Sequence, residues 1–401
     1  MSSDCKVAVV GGGLAGLTAG LALKSAGIEA DLFEAAPELG EVGAAISISP
    51  QGVKALQAVG AGDRIVAAAN ISTGMYTRDM YTGEFLELSD RHQIAVKYGA
   101  PYIAVHRADI VDALAVGLEK QRIHLGHRLT GIEQRGDRLM LAFENGARVR
   151  ADVVIGADGV RSVVRQALYG DDNPTYTGQM IWRALIDGSE VPDDVLEPTG
   201  HIQWVGRGRH ILSYYIRDRD IVNFVAQQDT DQWVGEGWST QGNPDELRAN
   251  FPDCESRLAR LFGLINSCTK WGLFTRPLTE NWGRGRIQLI GDAAHAMLPN
   301  AGQGACQAFE DAYILGRWLE ACPDPVDAFG NFRRVRIPRV HGVQRLSVSN
   351  ARARHLRDSA GKPAAVSGGQ TRFHGNADWV WGYDPVADWN KEPIVPAAYA
   401  T

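Results

Sequence analysis

The chain has 401 residues, a length that suits two interlocked domains. Its 45% hydrophobic and 22% charged residues are ordinary for a soluble globular protein, and a formal net charge of -6 gives no electrostatic reason to expect nucleic acid as a partner. Cys5, Cys254, Cys268, Cys306 and Cys322 are scattered without a C-x-x-C pair. They read as free thiols of a reducing cytoplasm and argue against a disulfide or zinc framework.

The chain opens on a strand, which speaks against a secretory signal, and no apolar run approaches the roughly 20 residues that span a bilayer. From Lys6 to Glu34 it reads KVAVVGGGLAGLTAGLALKSAGIEADLFE. The buried-strand run Val7, Ala8, Val9, Val10 enters Gly11, Gly13 and Gly16, which fit G-x-G-x-x-G. Gly11 permits the tight turn, Gly13 lets a pyrophosphate approach the backbone, and Gly16 lets the helix pack closely on the strand. The helix N-terminus offers unpaired N–H groups to the phosphates. Glu34 stands about 20 residues on, where a carboxylate takes a ribose hydroxyl.

Beyond Glu34, GEVGAAISISPQGVKALQAVG reads as a loop, a short strand and a helix, and residues 107–120 carry apolar residues at helical spacing. A strand-rich stretch then ends in RVRADVVIGADG, and GADGVRSVVR turns from strand into helix. Between about residues 176 and 228 the pattern alternates, most clearly in HILSYYIRD and IVNFVAQ, and predicts an antiparallel sheet. RIQLIGDAAH returns to strand and glycine, and a helix is expected over 304–321, closed by Pro323 and Pro325. A basic helical stretch over 327–357 follows, then SAGKPAAVSGGQ as a flexible linker and a tryptophan-rich, ordered tail. The expected division is a nucleotide-binding unit over 1–175 and 276–325, an antiparallel sheet over 176–275, and a helical region and tail over 326–401. In GDAAHAMLPNAGQGACQAFEDA, Asp292 at a strand end suits a polyol chain, and the helix opening at Gly302-Gln303-Gly304 favours nearby negative charge. A reduced flavin carries such charge on its pyrimidine edge, so these residues favour FAD over NAD as the bound nucleotide.

The set of motifs resembles the single-component flavoprotein aromatic hydroxylases. Within that group, EVGAAISISPQGVKAL, HRADIVDAL, GADGVRSVVR, GRGRHILSYYIRD, GDAAHAMLPNAGQGACQAFEDAYILGRWL and the tail ADWVWGYD look most like the salicylate, 3-hydroxybenzoate and 6-hydroxynicotinate hydroxylases. The resemblance implies an α/β fold: a Rossmann-type FAD-binding domain, an antiparallel substrate-covering sheet and a C-terminal helical region. It implies that Gly11, Gly13, Gly16 and Glu34 hold the ADP half of FAD and that Arg107 contacts the cofactor. Asp158 and Gly159 would form the D-G motif, Asp292 would bind the ribityl chain, and Gly302, Gln303 and Gly304 would meet the isoalloxazine edge. Pro299 and Asn300 would face substrate. Many salicylate-type relatives carry a histidine where this chain has Asn300, which leaves the substrate and the ring position open.

The activity so implied is oxygen transfer from a flavin C4a-hydroperoxide, using NADH or NADPH and O2, to a phenolic aromatic acid such as salicylate. Such chemistry needs a base or acceptor beside the phenol and a site closed to water. It needs no metal, and no ligand pattern stands out. His210 and Tyr214 lie four apart on a predicted strand and share a face, as relatives place a histidine and a tyrosine. They are either the substrate-side pair or a surface histidine and a packing aromatic. Arg183 either forks a substrate carboxylate or bridges domains. Arg333, Arg334, Arg336 and Arg339 read as a solvated helix face or a contact in a homodimer, and His295 as strand-end packing. No membrane span is expected, and the location expected is cytoplasmic. The rival readings are a 6-hydroxynicotinate or 3-hydroxybenzoate hydroxylase and, from another class, a non-catalytic redox-sensing flavoprotein.

Overall fold

The computed structural model describes residues 2–40, 45–170, 172–230, 240–355 and 377–400. The first strand, Ser2–Val10, lies at the centre of a parallel core, between Ala30–Phe33 and Arg148–Gly156. Ile287–Leu289 adds to the far side of Arg148–Gly156, also parallel. These strands are covered on both faces, which is why they read as continuous apolar runs rather than alternating ones. The helix Leu14–Ser25 packs against this sheet and against the helix Gly304–Ala321. The return segment therefore completes the unit that the first glycine motif begins.

A second sheet of eight strands runs in the order Gln241–Gly242, Cys268–Thr275, Thr175–Asp187, Ile221–Asp229, Arg209–Ile216, Gly200–Gly206, Gly74–Asp79, Phe85–Asp90. Its central pairs are antiparallel, as the alternation predicts, and Gly200–Gly206 pairs in parallel with Gly74–Asp79. Residues 1–175 thus contribute strands to both large sheets. One face of the second sheet carries Trp182, Trp204, Ile211, Tyr215, Val222 and Phe224 into a hydrophobic core with the helices Pro244–Asn250 and Ser256–Leu264. The other face looks toward the nucleotide-binding unit. There Tyr214 packs on Ala45 and Ala104 of a small three-stranded sheet, and Gln227 donates to Asn300.

The basic stretch forms one helix, Pro325–Arg354. Pro325 opens this helix at its first turn instead of helping to close the preceding one, as its fixed φ and missing N–H allow. The expectation of a solvated arginine face is overturned for two of the four residues. Arg336 and Arg339 are fully buried and pair with Glu310 and Asp311 of the helix Gly304–Ala321. Arg334 is exposed and meets Glu392, and Arg333 donates to Gln288. The helical pattern read over 107–120 gives a shorter helix, Arg107–Ala115. The linker SAGKPAAVSGGQ lies outside the described residues, whereas the tail carries a short helix, Asp378–Trp381. Among the described residues no helix is long and apolar enough to cross a membrane.

Candidate functional site

The glycine motif has the geometry its spacing predicts. Gly11 sits at φ +107°, and a Cβ there would meet the carbonyl oxygen of Ala157 at 2.4 Å. A Cβ on Gly16 would lie 1.8 Å from the carbonyl oxygen of Gly11, so strand and helix touch through backbone alone. At Gly13, by contrast, a Cβ would meet nothing within 4 Å. The loop is closed on its protein side and open where a pyrophosphate would approach. Glu34 turns back onto this loop: its carboxylate accepts from the backbone N–H groups of Gly12 and Ala36.

Of the later segments, residues 157–158 lie against Gly11 and Gly291 lies against Ala15. Arg107 begins its helix directly after the strand Ile103–His106. Asp158 accepts from the Ser162 hydroxyl and from the backbone of Val164, while burial pushes its carboxyl up against these hydrogen bonds. Gly159 follows at φ +77° with open space beside it. Asp292 starts the short helix Asp292–His295 just after Gly291, itself at φ +57°. Gly302 adopts the left-handed conformation that ends the turn Pro299–Ala301, and the 18-residue helix from Gly304 starts with open space at its first residue. The amide of Gln303 bonds to Ser49 and Gln51, away from the crevice, so this residue offers its backbone there. Open glycines, a dipole end and acids at the strand termini fit a dinucleotide such as FAD.

The strand register places the opposing wall. One row across the second sheet runs His201, Tyr214, Asn223, Leu185; the next runs Gln203, Leu212, Val225, Arg183; a third runs Val205, His210, Gln227, Ile181. His210 and Tyr214 do share a face, and both are buried. Tyr214 stacks on His201 with ring centroids 4.2 Å apart. Burial pushes the Tyr214 phenol up to about 12, while the Ser47 side chain and the Arg183 charge pull it down. Arg183 lies over the Trp271 ring at 5.2 Å. Asn300 is buried, and its carboxamide oxygen accepts from Gln227 at 3.4 Å; Pro299 beside it is exposed.

His210 belongs to a chain of groups. Its Nδ1 lies 2.9 Å from Nε2 of His355, whose Nδ1 lies 2.8 Å from Asp229. Asp229 keeps 23% of its side chain in solvent, so the chain runs from the wall to the surface. Burial, then the neighbouring His355 and Arg354, hold the His210 imidazole well below its ordinary pKa. With His355 neutral and its Nδ1–H donated to Asp229, Nε2 of His355 accepts from Nδ1–H of His210. That tautomer leaves Nε2 of His210 as a proton acceptor.

Sequence reasoning missed His201, Gln203 and Asn223. Gln203 and Asn223 are fully buried, and none of their four side-chain amide atoms has a hydrogen-bond partner. The signal was present in HIQWVG and IVNFVAQ, where polar residues alternate with apolar ones in strands that bury both faces. His295 holds a packing position, its Nε2 bonded to the buried Asp311.

A family model described as an FAD binding domain matches residues 4–323. A 3-amino-4-hydroxybenzoate 2-monooxygenase from Streptomyces cremeus is 37% identical, over 88% of this chain and 89% of its own length. A salicylate hydroxylase from Pseudomonas putida is 34% identical, over 96% of this chain and 93% of its own. Among solved structures, that of Klebsiella pneumoniae HpxO complexed with FAD and uric acid superposes with a TM-score of 0.80 at 26% identity, covering 89% of this chain and 90% of that one.

Proposed function

The chain belongs to the family of FAD-dependent aromatic monooxygenases, and from that membership we propose that it uses NAD(P)H and O2 to hydroxylate a phenolic aromatic acid of the salicylate type. Bound FAD supplies electron transfer and oxygen activation. The residues of this chain hold the ring, receive its proton and keep water out. The observation that carries the reading is the buried polar wall, with His210 and Tyr214 two rows apart on the same face. A phenol that loses its proton to His210 becomes a stronger carbon nucleophile. The proton is relayed through His355 to Asp229 and on toward solvent, so the His210 imidazole need not keep the charge that its burial disfavours. The fully buried Gln203 and Asn223 have donors and acceptors without a partner among the described residues, Arg183 lies in the row of Gln203, and Asn300 accepts from Gln227 of the next row. Burial of this wall limits the water that would divert oxygen to hydrogen peroxide.

The test is a panel of aromatic acids, including salicylate, 3-hydroxybenzoate, 6-hydroxynicotinate and 3-amino-4-hydroxybenzoate, scored for NADH and NADPH consumption and for product mass. At least one acid is expected to stimulate oxidation of the reduced nucleotide and to gain one oxygen atom. Oxidation indifferent to every phenolic acid would sink the reading and favour a redox-sensing flavoprotein.

A further inference from the structure

Among the described residues six arginines are buried: Arg91, Arg165, Arg276, Arg336, Arg339 and Arg354. Four of them reach a carboxylate. Arg165 and Arg276 meet Asp172, Arg336 meets Glu310 and Asp311, and Arg339 meets Glu310. Among the described residues Arg91 and Arg354 form no ion pair. Arg91 is 4% exposed; its guanidinium touches the Ser72 hydroxyl at 3.1 Å and Nδ1 of His201 at 3.4 Å, and lies 3.9 Å from the centre of the Tyr102 ring. Arg354 is 8% exposed, and its Nε, like that of Arg91, is buried without a hydrogen-bond partner. Burial lowers both guanidinium groups, Arg354 to about 10, with Tyr102, Arg91 and Glu87 within its electrostatic reach. Arg354 directly precedes His355, whose Nε2 lies 2.9 Å from Nδ1 of His210, so it adjoins the proton chain. The Tyr102 hydroxyl in turn lies 3.5 Å from where a Cβ on Gly302 would stand.

Two buried cations, with no protein anion paired to either among the described residues, call for an anion from outside. We propose that Arg91 and Arg354 form a carboxylate subsite that takes the acid group of the aromatic substrate, beside Tyr102 and His201 and across from His210. The identity of the anion rests on the function proposed above. A guanidinium presents a planar fork of donors that matches a carboxylate. A neutral analogue would leave both charges unpaired, so the subsite also rejects. Arg183, which the sequence reads as either forking a carboxylate or bridging domains, lies over the Trp271 ring at 5.2 Å.

The test uses the full-length, FAD-loaded protein and three matched pairs: salicylate and salicylamide, 3-hydroxybenzoate and 3-hydroxybenzamide, 6-hydroxynicotinate and 6-hydroxynicotinamide. Dissociation constants come from perturbation of the flavin absorbance. At least one acid should bind roughly 30-fold or more tightly than its amide. Arg91→Met and Arg354→Met should erase that preference by weakening the acid alone, while Arg183→Met keeps the preference whatever it does to turnover. Acid and amide binding alike, none of the acids binding, or variants that weaken both partners equally would each overturn the subsite. Thermal unfolding guards against a merely structural role: Arg354→Met loses no ion pair and should melt no lower than the parent without ligand, and a marked drop counts against the proposal. The two proposals also fail separately. An acid that binds through the arginines yet gains no oxygen ends the proposed function, and an amide hydroxylated as readily as its acid ends the subsite.

Discussion

Glu34 shows how one carboxylate serves two partners. It accepts from the backbone of Gly12 and Ala36 and so fixes the loop that a nucleotide would meet, far from the opposing wall of the second sheet. Glu34→Ala should therefore weaken FAD retention about 10- to 100-fold, the range of a lost charged hydrogen bond, and leave turnover at full flavin occupancy nearly unchanged. Flavin release during dialysis, followed by assays in excess FAD, separates the two effects. His210 should behave in the opposite way. His210→Ala removes the acceptor at the wall, and acid–base groups contribute about 10²–10⁴-fold. Hydroxylation should fall while oxidation of the reduced nucleotide persists, so product per nucleotide consumed drops and hydrogen peroxide rises. Tyr214→Phe should act in the same direction more mildly, because it keeps the ring that stacks on His201. An unchanged coupling ratio in His210→Ala would reduce this histidine to a packing residue.

Elements meet in this molecule where side chains are missing or where they are far apart in sequence, and the two cases were unequally legible. The first strand and helix meet through Gly16, and a methyl group there would collide with the Gly11 carbonyl. Gly16→Ala should push the helix off the sheet and yield protein largely without flavin, read as a lowered ratio of visible to ultraviolet absorbance. That contact could be read from spacing because it is local. The helix Gly304–Ala321 was equally plain, set between a left-handed glycine at Gly302 and Pro323. The shared face of His210 and Tyr214 followed from the period of a strand. What stayed hidden depends on partners more than a hundred residues away. His355 completes the His210 chain from the end of a helix 145 positions on. The pattern of Arg336 and Arg339 looked like a wet surface because Glu310 and Asp311 sit on a different helix.

At the scale of the whole chain, those four residues lock the last long helix to the flavin-binding unit. Arg336→Met would take one partner from each of two buried carboxylates, leaving Glu310 to Arg339 and Asp311 to His295, and breaking such a pair costs up to about 3–5 kcal/mol; denaturant unfolding of the FAD-loaded protein should show the loss. Acid reports on the same lock. Burial alone would raise the Asp311 carboxyl, but His295 and Arg336 outweigh it and hold the group at about 2. A folded value below the ordinary 3.8 means that its stabilising contribution is whole above that pH and drains away as the pH falls toward 2. Melting temperature against pH should bend downward in that window, and less so in Asp311→Asn. The locked helix begins at Pro325, just past residue 323 where the family match stops, and ends on Arg354 beside the substrate wall. On the proposed subsite, part of the choice of substrate lies outside the stretch that matches the flavin-binding family. A chimaera carrying a relative's counterpart of residues 325–401 should keep its yellow colour and change its substrate.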